Sequence, residues 1–314
     1  MPGAYAHITL VNMFRESARL DYISDFPKEA KRAIRRRITF LELGAVSPDY
    51  PYLALTGREK AKKWADLMHG YSRKGNMIHA GIRHLKTMKG DAREKGLAWF
   101  LGYTAHVTMD VFVHPVVELK VGKYIGNEQK HQKCEMHQDA HIFQKLNLEG
   151  IGLSNYFESG IAKCTDPGDP EQLDSDIVTL WQAMLKDEYP DDYASNPPNM
   201  GGWHRGFQFL IGKIASEGYH LIPLARHVGM DMIEMFYPTK EEVDSQFIRS
   251  LVTPRTPSDY NTIFNQAIDI VTGIWQIVAA AITGSDTTYL AKIGIWDLDS
   301  GRNERGDLVF WGQA

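Results

Sequence analysis

Residues 94–119 form one long apolar run, and three ionisable side chains break it at a fixed interval: His106, Asp110 and His114. The run is too long for a strand and reads as a helix. At about 100° per residue, positions i, i+4 and i+8 span an arc of about 80°, so the three side chains share one face. Their neighbours include Val107, Met109, Val111, Phe112 and Val113. A helix that is apolar nearly all round is a buried helix. Each polar group buried there without a partner costs on the order of 1–3 kcal/mol. A metal ion offsets that cost, because imidazole and carboxylate are good zinc ligands. The stripe therefore predicts a metal site inside a helical core. The alternatives are three hydrogen-bonded core residues or a solvent-facing stripe, and the apolar surroundings disfavour the latter.

The rest of the chain reads as mostly helical, so an all-α fold is expected. Helical patterns cover 28–44 (with Gly44 as a stop), 59–71, 76–89 (ended by Gly90) and 129–148 (ended by Gly150). Further ones cover 171–185, 207–226, 230–236, 241–251 and 258–283, the last with Ser258 as N-cap. Loops are expected at 47–52, where Pro48 and Pro51 stand close together, at 167–170 and at 189–206. Residues 290–311 alternate around the turn Asp299-Ser300-Gly301 and read as a short β-hairpin. The longest apolar stretch, 263–282, contains Asn265, Gln266, Asp269 and Gln276. It reads as a core helix rather than a membrane span. Two units are expected: 1–150 as a metal-binding helical core and 151–314 as a helical extension packed on the same domain.

Charge and cysteine content exclude some classes. The 35 Lys and Arg against 39 Asp and Glu give a net charge of −4, with no bulk attraction to nucleic acid or anionic membranes. Cys134 and Cys164 are the two cysteines, too few for a disulfide framework. Residues 1–20 lack the pattern of an export signal, and the expectation is cytoplasmic.

Other candidate ligands lie on both sides of the stripe. His131 and Glu135 form an i, i+4 pair. His137 and His141 form another, but they are rotated about 240° from His131, so the two pairs cannot serve one site. Asp49 lies in the Pro-bounded loop, and His69 ends the segment Trp64-Ala65-Asp66-Leu67-Met68-His69, with His79 and His84 as nearby alternatives. His7 precedes an apolar run near the N-terminus.

Together these residues resemble the zinc-dependent phospholipase C family, which is related to the single-strand-specific zinc nucleases. The motifs that carry the resemblance are Ala6-His7, Pro48-Asp49, the His69 segment, Gly102-Tyr103-x-x-His106-x-x-x-Asp110-x-x-x-His114-Pro115 and His131-x-x-x-Glu135. They span about residues 1–148. The resemblance implies an all-α bundle with a zinc cluster at the bottom of a cleft. It implies that Asp49, His69, His106 and Asp110 hold one zinc, and that His114, His131 and Glu135 hold another. In secreted relatives a third metal sits on the equivalents of His7 and Asp110 with an N-terminal Trp. This chain begins Met1-Pro2-Gly3, so two zincs are expected, with three as the alternative.

The chemistry implied is hydrolysis of a phosphodiester or phosphomonoester, with a zinc-bound hydroxide as nucleophile. Asp49 would ligate zinc, orient the attacking water or take its proton. The expected substrate is a small phosphorylated molecule or a phospholipid, and residues 196–207 read as a plain surface loop, with an apolar rim as the alternative. Nucleic acid is less favoured, the basic run 28–37 being its candidate groove. Two other readings compete: an iron or manganese enzyme of non-phosphate chemistry, and a non-catalytic protein stabilised by metal.

Overall fold

The computed structural model of the chain describes residues 2–70, 76–146, 156–158, 160–217 and 237–312. It begins with a run of helices: α1 (Ala4–Asn12), α2 (Ser17–Tyr22), α3 (Lys28–Arg36), α4 (Ile38–Val46), α5 (Arg58–His69), α6 (Met77–Thr87), α7 (Gly90–Val121) and α8 (Glu128–Phe143). An antiparallel hairpin follows, β1 (Thr165–Asp166) with β2 (Asp169–Leu173). Then come α9 (Ser175–Glu188), α10 (Pro190–Ser195), α11 (Met200–Glu217), α12 (Tyr260–Thr283) and α13 (Tyr289–Lys292). A second antiparallel hairpin pairs β3 (Trp296–Asp297) with β4 (Arg302–Asn303). The fold is all-α, with the expected short hairpin near the C-terminus.

The axis of the molecule is α7. Its 32 residues make it about 48 Å long at about 1.5 Å per residue. It is buried almost without interruption from Leu97 to Val117. Helices α1, α3, α4, α8, α9 and α12 all pack on it. A helix covered on every side needs apolar residues on every side, which is why the run carries no amphipathic stripe.

The closest of these crossings is that of α4 over α7. A Cβ on Gly44 would lie 1.8 Å from the Trp99 carbonyl oxygen, and one on Gly102 would lie 2.0 Å from that of Leu41. Two facing glycines let the backbones touch. The expectation that Gly44 stops a helix is therefore wrong: α4 runs through it to Val46. The single helix expected over 28–44 is also two, broken at Arg37 (φ −125°, ψ 42°). Arg37 there donates to Asp91 and Glu94 on α7.

Other sequence expectations shift for local reasons. The loop at 47–52 is a 3₁₀ turn, Ser47–Leu53, with Pro48 near its start, where a missing N–H costs nothing. The Pro-, Gly- and Asn-rich stretch 189–206 is mostly helical. Pro190 opens α10, and Met200 and Trp203 of α11 are buried, with Trp203 edge-on to Trp181 at 5.4 Å. These side chains therefore cannot form an apolar rim. The helix expected at 171–185 starts later, because Asp174 caps it through the N–H groups of Asp176 and Ile177. The helix expected at 241–251 is a single 3₁₀ turn, Ser245–Phe247, nucleated by the Asp244 carboxylate on the Gln246 N–H. Ser258 is no cap, since its backbone pairs with Leu251 before α12 begins. Gly90 opens α7 with φ +60° rather than closing α6. The ends of the helices expected at 129–148 and 207–226, and the whole of that expected at 230–236, lie outside the described residues.

Helix α12 is long and apolar enough to cross a membrane by length and composition. Here one face, including Ile263, Phe264, Val271 and Trp275, is buried, while Asn265, Gln266 and Asp269 are exposed. Trp275 Nε1 donates to the Leu101 carbonyl of α7 at 2.8 Å. The basic run 28–37 is an ion-paired surface: Lys31 and Arg35 face Asp21, and Arg32, Arg36 and Arg37 face Glu94.

Candidate metal centre

Four elements converge on α7 and bring all eight sequence-identified residues into its neighbourhood. His7 comes from α1, Asp49 from the 3₁₀ turn, His69 from the end of α5, and His131 and Glu135 from α8. His106, Asp110 and His114 face them from α7. None of the eight is more than 3% exposed.

They form three groups whose donor atoms lie within 4.8 Å of one another: His7–His106–Asp110, Asp49–His69–His106 and His114–His131–Glu135. His7 Nε2 is 3.1 Å from Asp110 Oδ1, His106 Nε2 is 3.2 Å from Asp110 Oδ2, and His69 Nε2 is 3.3 Å from Asp49 Oδ1. Around a tetrahedral zinc with bonds of about 2.0–2.1 Å, donor atoms stand about 3.3 Å apart. The spacing fits. His106 belongs to two groups, and the ring of His7 stacks on it with centroids 3.9 Å apart. His7 is thus completed by His106 as well as by Asp110, where the resemblance relied on an N-terminal chelate.

The ring orientations point the same way. His106 Nδ1 donates to the Ala45 carbonyl at 2.8 Å, and His69 Nδ1 to that of Ala65 at 2.7 Å. His114 Nδ1 donates to the Leu298 carbonyl. A carbonyl can only accept, so these bonds place the proton on Nδ1 and leave Nε2 bare. His131 is turned round: Nε2 donates to the Gly122 carbonyl at 2.7 Å, and Nδ1 faces Glu135 at 3.7 Å. In each ring the nitrogen aimed into the cluster is buried without a hydrogen bond, as are Asp49 Oδ1 and both oxygens of Asp110. Such a concentration of orphaned buried atoms is what a bound cation would satisfy. The donor set of imidazole and carboxylate fits zinc.

Electrostatics agree. Burial alone would raise the Asp49 pKa, but the adjacent His69 and His106 imidazoles hold it below the usual carboxylate value. Burial would raise Asp110 too, and His106 and His7 hold it well below. Burial lowers His7. It opposes protonation of His106 as well, but the adjacent Asp110 raises that group. Both carboxylates are therefore ionised acceptors at neutral pH.

The alternative histidines lie elsewhere. His79 is edge-on to Tyr289, and His84 pairs with Asp187. His137 accepts from the Asp244 N–H, and His141 pairs with Asn261. Both cysteines are buried and free.

Sequence reading missed two kinds of residue. Asp139 stands at i+4 from Glu135, so α8 carries its own i, i+4, i+8 stripe. The Asp139 carboxylate accepts from the Ala6 N–H and the Tyr237 hydroxyl, both at 2.8 Å, and so seats the helix that carries His7. Its spacing was a usable signal. The backbone acceptors at Ala45, Ala65, Gly122 and Leu298 had none, because any residue type supplies a carbonyl. A cavity of about 310 Å³ lined by Phe112, Arg255, Phe310 and Trp311 among others contains none of the eight donors.

A family model described as zinc dependent phospholipase C matches residues 6–191. No curated protein and no solved structure matches the chain.

Proposed function

We propose that this chain, which belongs to the zinc-dependent phospholipase C family, is a metal-dependent hydrolase of phosphodiester or phosphomonoester bonds. The observation that carries the reading is the set of buried, unpartnered donor atoms aimed into three adjacent groups. His7, Asp49, His69, His106 and Asp110 would hold metal at one end of the α7 stripe, and His114, His131 and Glu135 at the other. Two zinc ions are expected, and the seat that His106 and Asp110 offer beside His7 supports a third.

Bound there, zinc lowers the pKa of water towards about 7 and neutralises charge on phosphoryl oxygens. The chain's own groups do the rest. Asp110 faces His7 through Oδ1 and His106 through Oδ2, and His106 joins this group to that of Asp49 and His69. Carbonyls of Ala45, Ala65 and Leu298 keep the Nδ1 proton on His106, His69 and His114, so that Nε2 stays free. Asp49 is ionised, and its inward Oδ1 is free of hydrogen bonds. It would orient the attacking water and accept its proton. Burial excludes bulk water from all these groups and strengthens each interaction. A phospholipid headgroup or another small phosphate ester is the substrate class that fits the family.

The test is elemental analysis of protein purified without added metal, paired with turnover of bis(4-nitrophenyl) phosphate with and without chelator. Two or three zincs per chain and chelator-sensitive turnover are expected. Iron or manganese without phosphoesterase turnover would overturn the reading.

A further inference from the structure

Beyond the family match, one residue joins the two ends of the stripe. The Leu298 N–H donates to the His69 carbonyl at 2.9 Å, and the Leu298 carbonyl accepts from His114 Nδ1. Leu298 is fully buried. It follows β3 directly, so the β3–β4 hairpin delivers both contacts.

The hairpin is seated by a notch in α7. Pro115 has no N–H, so the Val111 carbonyl, four residues earlier, lacks its helical partner. Gly301, at φ +69°, lies against that carbonyl and the proline ring. A Cβ there would be 2.4 Å from Val111 O and 2.6 Å from Pro115 Cγ. A side chain would therefore lift the hairpin away. The seat is braced by Gly301, whose N–H donates to the Asp297 carbonyl at 2.9 Å and whose carbonyl accepts from Val309 at 3.0 Å. On the far side Trp311 stacks on Phe112 and donates to its carbonyl at 2.7 Å.

We propose that Leu298 is a positioning residue for the metal centre. Seated through Gly301 in the Pro115 notch, it holds the Nδ1 tautomer of His114 and aims Nε2 at the group shared with His131 and Glu135. This rests on the metal-centre reading above. It extends the centre's supporting shell into a C-terminal segment that the family match does not reach.

The test uses two glycine variants of the full chain. Gly301 and Gly306 both adopt positive φ, +69° and +84°, so Ala costs each a similar backbone strain. Only Gly301 is crowded, since a Cβ on Gly306 meets nothing within 4 Å. Zinc affinity is read by competition with a chromophoric chelator. Gly301→Ala is expected to weaken one ion per chain about 10–100-fold, as loss of an outer-shell contact does. Gly306→Ala should stay within about twofold of wild type. Equal affinity in Gly301→Ala and wild type, or equal losses in both variants, would overturn the proposal.

If Gly301→Ala does not fold, hydrogen exchange on the wild type decides. Coupling is reciprocal, so zinc should slow exchange of the Leu298 amide about tenfold or more. An unchanged rate, or a wild type that binds no zinc, would sink the proposal. Zinc binding without phosphoester turnover would remove the hydrolase reading alone. Turnover with full zinc affinity in Gly301→Ala would remove this inference alone.

Discussion

Both oxygens of Asp110 face imidazole nitrogens, Oδ1 towards His7 and Oδ2 towards His69 and His106. Asn keeps the shape of the side chain but replaces one acceptor with a donor. Asp110→Asn should therefore lose at least one ion, and turnover should fall on the order of 100-fold. His137→Ala, outside the cluster, should leave metal content and turnover nearly intact. If it strips metal and His131→Ala does not, the assignment on α8 is wrong. A second residue makes a pH prediction. Burial lowers the pKa of His204 to about 4, from an ordinary 6.5. The folded state thus binds fewer protons than the unfolded one, and stability falls as pH drops from 6.5 towards 4. Between pH 7 and 5 the loss is about 2 kcal/mol. Denaturant titrations of wild type and His204→Gln at both pH values, at equal metal loading, should show a smaller drop in the variant. At this scale the sequence was informative about side chains that carry chemistry. His106, Asp110 and His114 announce themselves because polar groups are costly in apolar surroundings. The carbonyls that orient them carry no such mark.

Helices α4 and α7 meet through Gly44 and Gly102, and this crossing places Ala45 beside His106 and carries the chain on to Asp49. By helix propensity alone, Gly44→Ala would gain up to about 1 kcal/mol. The clash with the Trp99 carbonyl should reverse the sign and cost about 2 kcal/mol or more, read as a lower melting temperature. Gly273→Ala in α12 makes the contrast. Its Cβ meets nothing within 4 Å, and it should stabilise by about 0.5–1 kcal/mol. The elements were legible where periodicity and length agreed, as in α5, α6, α7 and α12. They were misread where a local signal has two meanings. Gly44 looks like a stop and is a contact surface. Proline and glycine between 189 and 206 look like a loop, yet Pro190 opens a helix, and Met200 and Trp203 bury themselves in α11. The 241–251 segment has helical composition, but Asp244 spends its carboxylate on a tight turn.

At the scale of the molecule, one apolar cluster among the described residues extends from Ala4 to Trp311, with the eight donors set inside it. Two ionised carboxylates and several bare imidazole nitrogens crowded together at low exposure should be stable only with a cation among them. Removing metal with a chelator should lower the melting temperature by at least about 5 °C. An unchanged melting temperature would argue against an ion in the core. The family match and the stripe lie in the first two thirds of the chain, while the hairpin that holds His114 comes 184 residues after it. That separation bears on when the centre can be made. A chain synthesised from its N-terminus exposes His106, Asp110 and His114 long before Leu298 exists. Contacts between residues so far apart in sequence form late and slowly. The His114 end of the stripe therefore lacks its Leu298 partner, in the cell as in a refolding experiment, until the last segment arrives, and metal capture at that end is expected late in folding rather than at its nucleus.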